Sequence, residues 1–199
     1  VVLLLIPALA VTKKAGPGSR FHVIYFLGIG AGFIFAELLF VHAATFFLGD
    51  PVVSLAVVLT ALLVSSGAGG LWAQRLGARW LRWSLLAAAA ALLLTAVGFW
   101  ACARELLVLP AFWRYAALSA GVMIPGFAMG MPFPLGMRFL ARRPVERTFA
   151  WAVNGSASVL ASIATAQLAI SAGLQWILWS ALACYGLALW QAAETRDGL

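Results

Sequence analysis

Charge is what this sequence has least of. Only 10% of its 199 residues are Asp, Glu, Lys or Arg, and only six are acidic. A soluble domain is about a quarter charged and about half apolar. Here 64% of residues are hydrophobic and the mean hydropathy is +1.02. That balance excludes a disordered chain, a collagen-like fibre and an ordinary soluble enzyme. Cysteine and histidine are scarce too, with two Cys and two His. Cys102 and Cys184 lie far apart, in or beside apolar runs, which excludes a disulfide scaffold and any metal-ligand spacing. They read as small buried hydrophobes. His22 and His42 have no carboxylate at metal-ligand spacing, and no nucleophile–base arrangement or phosphate loop is present. The sequence thus offers no catalytic, cofactor or metal site of its own. An all-α, polytopic transmembrane bundle remains.

Long apolar runs are what the chain does have. Six fall at about 21–47, 52–73, 82–102, 112–137, 149–171 and 174–192. Each can cross a hydrocarbon core of about 30 Å, which needs about 20 residues, the first with some tilt. Breaker residues separate them: Gly49-Asp50-Pro51, Arg75 to Arg82, Arg104 to Pro110, Arg138 to Arg147, and Gly173. Residues 1–11 are apolar but too short to span. Lys13 and Lys14 follow that run rather than precede it, unlike a signal peptide. The expected organisation is the end of a longer membrane helix at 1–11, a cytoplasmic loop at 12–20, a six-span bundle at 21–193 and a polar tail at 194–199. On this reading the chain is the C-terminal part of a larger protein.

The net charge of +7 is a matter of orientation. Lys13, Lys14, Arg20, Arg75, Arg79, Arg82, Arg138, Arg142, Arg143, Arg147 and Arg196 fall on one side of the six spans, and only Arg104 and Arg114 on the other. The positive-inside rule makes the first side cytoplasmic, together with the C-terminus. Nucleic acid is therefore not an expected partner; the lipid bilayer is. The nine tryptophans cluster near span ends, where an indole keeps its ring apolar and its N–H wet.

Few polar groups lie within the spans. Glu37 is the only acidic residue deep in one. A charge at mid-bilayer costs about 2.5–3.5 kcal/mol on insertion scales, so Glu37 must be protonated, paired or facing water. Two readings follow: a proton- or cation-linked site, or a structural glutamate hydrogen-bonded between helices. His42 lies about 140° round the helix from Glu37, a poor direct partner, and sits nearer the outer interface. Gly28, Gly32 and Ala36 form a small-xxx-small ridge for a neighbouring helix, and Ser65 to Gly70 permit a second close approach. In the fourth span, Pro125 and then Pro132 and Pro134 remove backbone donors and should kink or break the helix. The freed carbonyls then need partners, and broken helices also line transporter sites. Asn154, Ser158 and Ser162, spaced by four, make one polar face for another helix or a ligand, with Gln167 extending the track.

Four segments in this order carry a resemblance: YFLGIGAGFIFAELL, LGDPVVSLAVVLTALLVSSGAGG, GFAMGMPFPLGMR and WAVNGSASVLAS. Over roughly residues 20–190 the chain resembles the C-terminal membrane region of bacterial spermidine synthase-like integral membrane proteins, in which such helices are joined to a Rossmann-like domain. The resemblance implies a bacterial cytoplasmic membrane, a soluble domain of the same parent protein as partner, and aminopropyltransferase- or methyltransferase-like activity for that parent. The synthase loop and acidic residues have no counterpart here, so no catalytic residue and no cofactor are carried over.

Three functions follow. The chain anchors or serves the soluble domain, with Glu37 recognising a small cation such as a polyamine amine. Alternatively it is a cation- or proton-linked transporter of small molecules, with Glu37, His42, Pro132, Pro134, Asn154 and Ser158 as candidate substrate-binding or proton-linked residues. Glycines interrupt the first span and Gly/Pro the fourth, corresponding positions if two three-span halves are inverted. The third function is a structural or assembly subunit of a membrane complex.

Overall fold

Each of the six long apolar runs folds as a helix, and the residues between the runs do the stopping. The computed structural model describes residues 22–194. The assignments for 1–11 and 12–20, and all of the tail beyond Glu194, lie outside the described residues. The helices are α1 (Val23–Leu48), α2 (Pro51–Ala73), α3 (Trp80–Ala101), α4 (Ala103–Val108), α5 (Ala111–Gly130), α6 (Pro132–Phe139), α7 (Pro144–Ser171) and α8 (Leu174–Glu194). No strand occurs among the described residues. Six helical units, of 21 to 29 residues, are long and apolar enough to cross a membrane, with α5 and α6 counted as one. The chain is an all-α membrane bundle.

Turn chemistry sets the boundaries. Gly49 closes α1 at φ 75°, its N–H bonded to the Thr45 carbonyl at 2.9 Å. Asp50 then caps α2: its Oδ1 accepts from the N–H groups of Val52 (2.8 Å) and Val53 (3.1 Å), with Pro51 in the first turn. That combination satisfies donors that a helix start leaves orphaned. α7 begins at Pro144, about five residues earlier than the hydropathy pattern implies. The charged residues read as loop are its first turn, where Glu146 accepts from the Arg143 N–H at 3.0 Å.

The fourth span is interrupted as its prolines require, with α5 ending at Gly130 and α6 starting at Pro132. Pro125, by contrast, stays inside α5. A proline there deprives the carbonyl four residues back, that of Gly121, of its helical donor. Thr95 of α3 supplies a replacement, its Oγ1 donating to the Gly121 carbonyl at 3.4 Å.

Close approach then assembles the bundle. α1 is the most buried span and α5–α6 the next. α8 lies antiparallel on the glycine ridge of α1. A Cβ on Gly28 would stand 2.6 Å from the Cys184 carbonyl oxygen, and one on Gly32 would stand 3.1 Å from the Tyr185 ring. α2 and α5 meet in the same way: a Cβ on Gly69 would strike the Phe127 backbone, and one on Gly130 the Ser66 backbone. The expected small-residue contacts are thus real, because only a hydrogen at those positions lets the backbones touch.

The packing has an internal echo. Exchanging the first three spans with the last three maps the α1–α8 contact onto α5–α3, and α1–α7 onto α5–α2. The α3–α8 and α1–α5 contacts map onto themselves. Spans three apart in a serial bundle run in opposite directions, so the echo is inverted. The α1–α2 and α7–α8 contacts have no counterpart of similar extent. Glu37 and Pro125 each occupy the fifteenth position of their helical units. All nine tryptophans lie on the exposed surface, within about two turns of a helix end.

Gly69→Ala or Gly130→Ala should lower stability in detergent micelles by at least the 1–3 kcal/mol typical of overpacking, because the obstacle is backbone. Gly67→Ala, where a Cβ meets nothing within 4 Å, should be neutral or stabilising by up to about 1 kcal/mol. Thermal denaturation of the three variants checks the contrast.

Candidate functional site

The N-terminal half of α1 gathers several of the polar residues singled out by the sequence. Opposite Gly30, a Cβ would stand 2.8 Å from Asn154 Oδ1, so Asn154 of α7 lies directly over the glycine. Ser158 sits one turn on and donates from Oγ to the Asn154 carbonyl (2.9 Å) and to that of Gly30 (3.3 Å). Ser162 does not join them; it is exposed and bonds the Val159 carbonyl at 2.8 Å. The reason is geometric: residues four apart drift about 40° per step round an α-helix, so the third member of the row has left the interface. Gln167 is exposed as well.

Pro132 is buried, and its carbonyl accepts from the Tyr25 hydroxyl at 2.7 Å. Tyr25 of α1, not Asn154, thus makes the side-chain hydrogen bond to the start of α6. Gly136 of α6 packs against the Tyr25 and Phe26 rings. Edge-to-face contacts continue from Phe26 to Phe133 (6.1 Å between centroids) and from Phe133 to Trp151 (4.7 Å), joining α1, α6 and α7. Pro134 faces the other way, its Cγ 3.9 Å from a Cβ built on Gly70 of α2.

Glu37 stands apart from this cluster. It lies seven residues beyond Gly30, on nearly the same face of α1 and roughly 10 Å further along the axis. That places it near the middle of a 26-residue helix, half-buried. Its carboxylate has no hydrogen-bond or ion-pair partner among the described residues. His42 is exposed, and its Nδ1 lies 2.7 Å from the Leu38 carbonyl oxygen, held on its own helix. The structure therefore brings Asn154, Ser158 and Pro132 to one end of α1 and leaves Glu37 alone at mid-depth, unpaired with His42.

Several residues that organise this region carry little sequence signal. Gln191 of α8 accepts from the Tyr25 N–H at 2.5 Å, capping a donor in the first turn of α1. Arg114 donates to the carbonyls of Phe47 (3.1 Å), Leu107 (2.8 Å) and Leu109 (2.9 Å), tying the end of α1 to the α4 loop. Arg138 does the same for the end of α2, donating to the carbonyls of Gln74 (2.9 Å) and Leu76 (3.3 Å). Both cations meet the carbonyl-rich ends of helices, where positive charge is favoured. In the sequence they look like any other loop arginines.

No group of three or more His, Cys, Asp or Glu among the described residues could hold a metal ion. Comparison with protein-family models, with characterised proteins and with solved structures finds no match to this chain.

Tyr25→Phe should remove the bond to Pro132 and loosen α6 from α1. The expected loss is about 0.6–1.7 kcal/mol, the size of hydrogen bonds between membrane helices, read as a lowered unfolding midpoint in micelles.

Proposed function

We propose that this chain is a membrane domain that takes a small organic cation at Glu37, serving the soluble catalytic domain of a spermidine synthase-like parent protein. One observation carries the reading: a single carboxylate sits at the middle of the most buried span without a partner among the described residues. A glutamate whose task was to join helices would bond to one of them. In hydrocarbon an unpartnered carboxylate needs a proton or a cation. A polyamine amine provides the cation, with N–H groups that can bond both carboxylate oxygens.

The inverted echo in the packing supports movement of that cation as well as recognition. Secondary transporters built from inverted repeats place their sites near the midplane, where the repeats meet. Here α1 and α5 occupy the centre of the echo, and Glu37 lies at mid-depth on α1. Asn154 and Ser158 then serve as packing groups that seat α7 on α1, and His42 stays outside the site.

The test is equilibrium binding of radiolabelled spermidine and putrescine to the purified full-length parent and to this chain in parallel, wild type and Glu37→Gln. The expected result is binding by both proteins, reduced about tenfold or more by the substitution, as loss of a charged hydrogen bond predicts. The unfolding midpoint should not change. Equal binding by wild type and Glu37→Gln would overturn the assignment and leave the chain an anchor.

A further inference from the structure

At the basic end of the bundle, α3, α6 and α8 leave a groove of about 510 Å³. Its walls are apolar, formed by Leu86 of α3, Phe139 of α6, Leu140 just after it, and Leu189 of α8. Its charged part is Arg79 and Arg82. Neither guanidinium has a hydrogen bond or ion pair among the described residues. This sets them apart from Arg138, Arg142 and Arg147 on the same side, each of which donates to a backbone carbonyl. The one acidic residue described at the end of α8, Glu194, bridges to neither. Trp80 and Trp83 flank the two arginines and are exposed, which fixes their level as the membrane–water interface.

Two unpaired guanidiniums at headgroup level, continuous with an apolar groove, match one class of ligand in two parts at once. Guanidinium binds phosphate in a fork of parallel hydrogen bonds. Basic pockets between membrane helices on the cytoplasmic side suit anionic lipid headgroups. A free phosphate would use the arginines and leave the groove empty, and a neutral lipid would use the groove and leave two cations unpaired. We propose that this groove binds one anionic phospholipid, its phosphodiester held by Arg79 and Arg82 and an acyl chain lying between Leu86 and Leu189.

The test uses the purified chain in micelles, with phosphatidylglycerol and phosphatidylcholine carrying brominated acyl chains. The readout is quenching of Trp83, isolated by subtracting the Trp83→Phe signal. The expected result is half-quenching by phosphatidylglycerol at about 25-fold lower mole fraction than by phosphatidylcholine, from about fivefold for each arginine. Arg82→Gln should reduce the preference about fivefold, and Arg79→Gln/Arg82→Gln together should abolish it. Arg142→Gln/Arg143→Gln, equal in charge removed, should leave it intact. Loss of preference in that control would mean diffuse surface charge and would overturn the site. Displacement of the brominated lipid by glycerol phosphate as effectively as by phosphatidylglycerol would overturn it too, reducing the groove to a phosphate contact. Because the single variant leaves Arg79 in place, it keeps the proposal testable should the double variant fail to fold.

Discussion

Hydrocarbon offers a backbone no hydrogen bonds and gives helices no hydrophobic reason to associate, so this bundle depends on how closely its backbones can approach. Glycine supplies the approach. Gly28 and Gly32 admit α8, Gly30 admits Asn154 of α7, and the α2–α5 seam repeats the device with Gly69, Gly126 and Gly130. A methyl group at Gly28, Gly30, Gly69 or Gly130 would meet backbone, hold two helices apart and forfeit dispersion contacts along the seam. The same solvent makes every interruption of a helix a debt to be settled inside the protein. Thr95 answers the carbonyl that Pro125 frees, and Gln191 caps the start of α1. Arg114 and Arg138 occupy the ends of α1 and α2.

Much of this architecture can be read from the chain, and the reason is the bilayer. A span must be about 20 apolar residues long, so hydropathy alone locates six of them, and turn residues with one conformational role mark their ends. Gly49 and Gly173 are the described residues with positive φ, and both sit at breaks visible in the sequence. The proline interruption at Met131 and the glycine ridge are legible for the same reason, since a missing donor and a missing side chain act locally. Glu37 is equally plain, because one carboxylate in an apolar run has no competitor.

What the sequence hides are the pairings. Nothing near Tyr25 announces that its hydroxyl meets Pro132, 107 positions away. Nothing in the spacing of Asn154, Ser158 and Ser162 shows that the third faces outward, until the 40° drift is applied to a known interface. Charge misleads at Pro144 to Arg147, where an ionic first turn looks like loop. The inverted echo is also hidden, because it resides in which helices touch and not in which residues recur. These features depend on relations between elements, and a pattern confined to one element cannot carry them.

Those relations also set the surroundings of Glu37. α7 packs mainly on α1 and only along an edge of α8, so one interface holds it. The polar part of that interface is at the N-terminal half of α1: Asn154 over Gly30 and Ser158 bonded to the Gly30 carbonyl, with Trp151 against Phe133 beside them. Beyond it the buried residues of α7 are Ala161 and Thr165, both small. Glu37 lies on the same face of α1 as Gly30 but past those bonds, where α7 is held by small side chains. The interruption between α5 and α6 lies at the start of α1, about twelve residues before Glu37, where Tyr25 bonds the Pro132 carbonyl and the Phe26 ring meets Phe133. Glu37 thus stands at mid-depth of α1, past the polar seam with α7 and without a partner among the described residues.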